Sequence, residues 1–130
     1  LAIIQALLVK TGDDIYAMPV IHTIETLEAG AGEIKTVQGN RVIVLRDEVI
    51  PVFSLAELLN KEFKQTETAE LVLAEVRDKK VAIQVDKVLG QQEVAIKSLG
   101  EFLKFAKGFS GVTILGDGKI SLIIDVPALV

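Results

Sequence analysis

What most constrains this chain is how its apolar residues are parcelled into short, β-branched runs, each ended by turn-forming polar residues. Runs at 6–10, 15–18, 42–46 and 49–53 fill the first half, and runs at 71–76, 81–89, 94–97, 112–115 and 120–126 fill the second. Between them lie Gly12-Asp13-Asp14, Gly39-Asn40, Asp47-Glu48, Arg77-Asp78-Lys79 and Asp117-Gly118. Asp-Gly supplies the positive φ angles of a tight hairpin, so Leu115 and Ile120 are expected to begin the two arms of one. Many short strands with few helical windows predict an all-β chain, built as an antiparallel barrel or a sandwich. No apolar run approaches the roughly 18 residues of a membrane-spanning helix. The apolar opening, residues 1–9, contains Gln5 and has no basic leader, so it lacks the form of a signal peptide. Beginning on Leu1 rather than Met, the sequence reads as a domain excised from a longer chain.

Two windows have helical form. Ser54 can cap a helix by accepting from the Glu57 amide, with Leu55, Leu58, Leu59 and Phe63 on one face behind it. Ser98 and Glu101 have the same spacing, followed by Leu99, Phe102, Leu103 and Ala106, although Gly100 weakens that helix by roughly 1 kcal/mol relative to Ala.

The chain also repeats itself. Leu7-Leu8-Val9, a turn and Tyr16-Ala17-Met18-Pro19-Val20 match Val72-Leu73-Ala74, a turn and Val81-Ala82-Ile83-Gln84-Val85. The segment from Leu45 to Phe53 parallels that from Leu115 to Ile124, with one extra residue. Two copies cannot build a solenoid, so two small barrels packed on each other are expected. Each copy alone would bury too little surface to be robust. The polar stretch 61–70 is the natural seam, giving approximate subdomains 1–62 and 66–130 with strand exchange at the termini.

Composition removes most enzyme classes. There is no Cys and a single His, which excludes thiol chemistry and multi-histidine metal sites. Lys plus Arg number 14 against 18 Asp plus Glu, a formal charge of −4, the wrong sign for a nucleic-acid surface. Gly111 and Gly116 have the spacing of a phosphate loop, but Asp117 stands where its lysine belongs and would repel the ligand. Asp13-Asp14 and Asp47-Glu48 lack calcium-loop spacing and fall at expected hairpin tips. His22 has no nucleophile partner by motif. A pocket around His22, Asp86 or Asp125 would be needed for a small-molecule reading. No cofactor and no metal are expected, and the apolar excess points instead to protein surfaces.

The segment from Leu45 to Leu55, containing Leu45-Arg46, Pro51-Val52 and Leu55, resembles the signature of the CheW-like domain of bacterial chemotaxis. Tyr16-Ala17-Met18-Pro19-Val20 resembles that family's second strand, and the likeness runs along essentially all of the chain. Lys97-Ser98-Leu99-Gly100, Phe109-Ser110-Gly111 and above all Thr113-Ile114-Leu115-Gly116-Asp117-Gly118 resemble the version found as the C-terminal regulatory domain of the chemotaxis histidine kinase CheA. A free-standing CheW-type adaptor is the alternative version.

The resemblance implies two SH3-like five-stranded β-barrels sharing an apolar core, with one or two short helices. It implies a cytoplasmic, non-catalytic domain at the inner face of the membrane. Its expected partners are a CheW-type adaptor, the cytoplasmic tip of chemoreceptors and the kinase's other domains, with no nucleic acid and no membrane insertion. His22 would not be the phosphorylated residue. Arg46 matches an arginine that in the adaptor pairs with an acid; here the matching position is Thr26, so Glu25, Glu28 or no partner stay open. Asp47 replaces the family's glycine. The expected interface is the 42–52 hairpin on the first barrel, with Val42, Arg46, Asp47, Glu48 and Ile50. On the second it is the 88–96 segment, with Val88, Leu89 and Val94. Replacing Ile50 with Glu is expected to weaken assembly without unfolding the domain.

Overall fold

Nearly every polar interruption becomes a hairpin turn. A computed structural model describes residues 2–98, 100 and 107–130 of the chain. In chain order they form β1 (Ala2–Thr11), β2 (Asp14–Pro19), β3 (Thr23–Gly30), β4 (Ile34–Val37), β5 (Asn40–Leu45) and β6 (Glu48–Ser54). There follow α1 (Leu55–Leu58), β7 (Thr68–Val76), β8 (Lys79–Val85), β9 (Lys87–Ile96), β10 (Phe109–Ile114), β11 (Ile120–Ile124) and α2 (Val126–Leu129). The fold is all-β, in two SH3-like units.

One sheet has five strands in the order β10-β11-β2-β1-β9, and a bridge between Lys97 and Val112 brings β9 back beside β10. The other has six, β3-β7-β8-β6-β5-β4, one more than expected because the short strand β4 joins its edge. Each sheet takes strands from both sides of the 62–66 seam. The β1–β2 hairpin sits with β9–β11, and β7–β8 sits with β3–β6.

The internal repeat is a repeat of pairing. Leu7 opposes Met18 and Leu8 opposes Ala17, just as Val72 opposes Ile83 and Leu73 opposes Ala82. The match extends to the parallel pairs: Ile123 lies beside Ala17, and Val52 beside Ala82. After these strands Ser54 and Asp125 cap α1 and α2, accepting from the amides of Glu57 and Ala128 at 3.3 Å each. Alternation along the hairpins then divides the core. Leu7, Val9, Tyr16 and Met18 meet their equivalents Val72, Ala74, Val81 and Ile83 in a cluster shared by both units. The opposite faces, carrying Leu8 and Ala17 or Leu73 and Ala82, fill the interior of each unit.

Several boundaries differ from the sequence expectation. The run at 81–89 is broken at Asp86, whose carboxylate accepts from the Gly12 amide at 2.7 Å and so ties the strand change to the β1–β2 turn. The β5–β6 turn is Arg46-Asp47 rather than Asp47-Glu48, with φ of 47° and 67°. Helix α1 stops well short of Phe63 because Asn60 turns left-handed, at φ 59°, and the Lys61 amide bonds back to the Ala56 carbonyl. Strands β3 and β4 were not expected. The helix expected behind Ser98 (Leu99, Glu101, Phe102, Leu103, Ala106) lies outside the described residues.

Candidate protein-docking site

The β5–β6 hairpin has two aliphatic faces, because all of Val42, Ile43, Val44 and Leu45 are apolar. Cross-strand register puts Ile43 opposite Ile50 on one face and Val44 opposite Val49, with Val42 opposite Pro51, on the other. The first face is core: Ile43 and Ile50 are each 2% exposed. The second is open, with Val44 61% and Val49 67% exposed. Ile50 is therefore no contact residue, and a carboxylate there would be buried in the core of its own barrel. Val94 is likewise core, packed with Leu8, Ala17 and Ile123. Of the remaining expected residues, Val42 and Val88 are half-buried, and Arg46, Asp47, Glu48 and Leu89 reach the surface.

Charged side chains hold the rim of this face. The Arg46 guanidinium donates to the Glu25 carboxylate on β3, and Lys80 on β8 donates to Glu48 at 2.7 Å. Of the partners left open for Arg46, the structure selects Glu25. Beside Val49, a groove of about 490 Å³ runs between β6, the β7–β8 turn and Val130.

The second unit carries the equivalent face, on β10–β11 rather than on β9. In the repeat alignment Val44 corresponds to Ile114 and Val49 to Ile120, and Ile114 and Ile120 oppose each other across that hairpin. They are 58% and 69% exposed. A second groove, of about 500 Å³, lies beside Ile120, with Tyr16, Leu58 and Lys107 on its walls. Lys61 closes one end of it, donating to Asp14 at 2.7 Å and to the Tyr16 hydroxyl at 2.9 Å. Those hydrogen bonds, to Asp14 first, hold the Lys61 ammonium above the ordinary lysine pKa. Further along the same linker Phe63 lies under the Arg41 guanidinium, 4.7 Å from ring centroid to Cζ, while Arg41 donates to Gln84. Burial lowers the Arg41 pKa, with Glu57 opposing.

Several of the groups weighed for chemistry have structural employment. A Cβ on Gly111 would come within 2.7 Å of the Lys97 carbonyl oxygen, so this glycine permits strand packing rather than phosphate approach. Asp125 caps α2, Asp14 engages Lys61 and Asp86 binds the Gly12 amide. Among the described residues no three His, Asp or Glu side chains cluster as metal ligands, and no helix is long and apolar enough to cross a membrane.

Known proteins place this architecture. The chain matches the family model described as the CheW-like domain over residues 5–130. It is 42% identical to the sensor histidine kinase CheAY of Helicobacter pylori, over 99% of this chain and 16% of that protein. It is 39% identical to the chemotaxis protein CheA of Bacillus subtilis, over 100% of this chain and 20% of that one. The chain thus spans a fifth or less of these relatives. Its backbone superposes on the crystal structure of the scaffolding protein TtCheW of Thermoanaerobacter tengcongensis with a TM-score of 0.83, covering 98% of this chain and 92% of that one at 17% identity. With a family match across both repeats, and with both repeats folded as paired SH3-like units, this chain belongs to the CheW-like domain family.

Proposed function

We propose that this chain is the non-catalytic regulatory domain of a chemotaxis histidine kinase, coupling the kinase to a CheW-type adaptor and to the cytoplasmic tip of chemoreceptors at the inner face of the membrane. Phosphoryl transfer would belong to other domains of the parent chain. The observation that carries this reading is the alignment of the whole chain, at 39–42% identity, with a small part of much longer kinases. The same alignment weighs against a free-standing adaptor.

The docking mechanism rests on the exposed cross-strand pairs. A solvent-facing Val or Ile pair on a rigid hairpin supplies an apolar centre, and the charges around it set orientation. An adaptor with the same paired-barrel shape can present its own equivalent hairpin, giving a pseudo-symmetric contact. Arg46, Asp47 and Glu48 form the rim of this contact on the first unit, and Leu89 offers a lesser apolar point on β9.

Calorimetric titration of the chain with a purified CheW-type adaptor tests the reading. Binding at about micromolar Kd, close to 8 kcal/mol, is expected. A folded chain that gives no heat at several temperatures would remove the coupling role.

A further inference from the structure

The first barrel carries a cation in its inward phase. Along β5, Arg41 alternates with the buried Ile43, and on β4 Thr36 lies opposite Arg41 just as Ile34 lies opposite Ile43. Gln84 on β8 follows the core residue Ala82 in the same phase, and Ala69 on β7 belongs to the same core. These positions all fall toward one end of the barrel, where they line a cavity of about 160 Å³ together with Phe63 from the linker after α1. In the repeat Arg41 corresponds to Gly111, so the second unit has no equivalent cation.

The chemistry of this cavity is one-sided. Among its described lining residues Arg41 is the one charge, and there is no carboxylate. The guanidinium is held in place, because Nη2 donates to Gln84, itself 7% exposed, and Phe63 covers its face. Nη1 is buried without a hydrogen-bond partner, and Arg41 makes no ion pair, among the described residues. Burial disfavours its charge and Glu57 favours it, but Glu57 shares with Arg41 a separate groove on the α1 side. A buried charged donor without an acceptor is costly, and a carboxylate is the acceptor that matches a guanidinium edge. The rest of the wall includes Ala31, Ile34 and Ala69, apolar surface enough for a short alkyl chain. We propose that this cavity binds a short-chain aliphatic carboxylate, which accepts from Arg41 Nη1 and lays its chain against Ile34 and Phe63. Gln65 and Thr66 at its edge are exposed, so the ligand enters from solvent. The cavity shares no residue with the Val44–Val49 or Ile114–Ile120 faces, and its role is independent of the coupling function.

Titration of the isotope-labelled chain with sodium butyrate, followed in an assigned amide spectrum at constant ionic strength, tests this. Saturable shifts are expected at residues 34–36, 63–66, 69 and 84, with half-saturation on the order of 1–10 mM. Acetate, two methylenes shorter, should bind about tenfold more weakly at the same amides. Sodium chloride over the same range should give no saturable shift there. Arg41→Gln should abolish the response. Lys35→Gln removes an equal charge from an exposed neighbour outside the cavity and should leave the response intact. If Arg41→Gln fails a thermal-unfolding control, the butyrate-to-acetate ratio and the chloride arm on the wild-type chain decide the question by themselves. Shifts that rise without saturating, that chloride reproduces, or that Lys35→Gln loses as fully as Arg41→Gln would overturn the proposal. So would equal affinities for butyrate and acetate, since the apolar wall would then contribute nothing.

Discussion

Arg46, on the turn between β5 and β6, is paired with Glu25 on β3, and the two strands it ties share no backbone hydrogen bond. The pair therefore fastens the β5–β6 hairpin across the barrel where the ladder does not. Its side chains are 64% and 36% exposed, so water screens it, and an exposed pair of this kind is worth about 0–1 kcal/mol. Arg46→Ala should cost no more than that in a denaturant melt. It should weaken adaptor binding by about tenfold, 1.4 kcal/mol, because the hairpin's orientation is lost with the tie. Equal losses in the stability and binding assays would make the pair structural only.

The resemblance puts Thr26 at the acid's matching position and leaves Glu25, Glu28 or no partner open for Arg46; the structure's choice of Glu25 goes with a bulge just before it. The register between β3 and β7 shifts at Ile24, one extra residue that moves every later side chain to the other face. No residue type announces such a bulge. The repeat, by contrast, was legible in full, because equivalent pairs such as Leu7–Met18 and Val72–Ile83 meet in one core and their apolar identity is enforced twice. The two exposed aliphatic faces were not legible from hydropathy. Val44 and Val49 look like Ile43 and Ile50, and a strand apolar on both sides has no polar phase to show which side is wet. The repeat held the missing signal, since aligning Val49 with Ile120 pairs the two exposed positions.

Val49→Glu and Ile50→Glu should separate surface from core on adjacent residues. Val49 is 67% exposed and Ile50 2%. The first change should leave the melting midpoint nearly unmoved, within about 0.5 kcal/mol, and abolish adaptor heat. The second strands a carboxylate in the core of the first barrel and should cost several kcal/mol, enough to unfold much of the population at 25 °C. A well-folded Ile50→Glu chain would contradict the placement of that face.

Gly111 and Gly116 had the spacing of a phosphate loop but sit in different surroundings. An added Cβ at Gly111 meets the Lys97 carbonyl oxygen at 2.7 Å and Ile96 at 2.8 Å, while one at Gly116 meets nothing within 4 Å. Gly111→Ala should therefore lose about 1–3 kcal/mol and Gly116→Ala close to nothing. Matching thermal shifts for the two variants would show that β9 and β10 part readily enough to admit a methyl group.

Asp47 stands at φ 67° in the β5–β6 turn, where the chain resembles a segment that carries glycine. A Cβ in the left-handed region costs roughly 1–2 kcal/mol, less for Asp, whose short side chain tolerates that conformation. Asp47→Gly should raise stability by about 0.5–1 kcal/mol while removing one negative charge from the rim of the proposed docking face. Adaptor affinity measured in low and moderate salt would then show a shallower salt dependence than wild type. A destabilised variant would mean that the Asp47 side chain supports the turn.

Lys61 links the two units through a single side chain, reaching from the linker after α1 to Asp14 and Tyr16 on the five-stranded sheet. Its folded pKa is raised above the ordinary 10.5, first by the hydrogen bond to Asp14 and then by that to Tyr16. The sign follows directly: the stabilisation is fully present below the unfolded value and is lost as pH rises through the folded one. Because Lys61 is 41% exposed and Asp14 60%, screening limits the effect to about 0–1 kcal/mol. Wild type should exceed Lys61→Met in denaturant melts by a margin that is constant from neutral pH up to about 10 and shrinks above it. A margin unchanged at the highest pH would show that the ammonium charge of Lys61 is not its source.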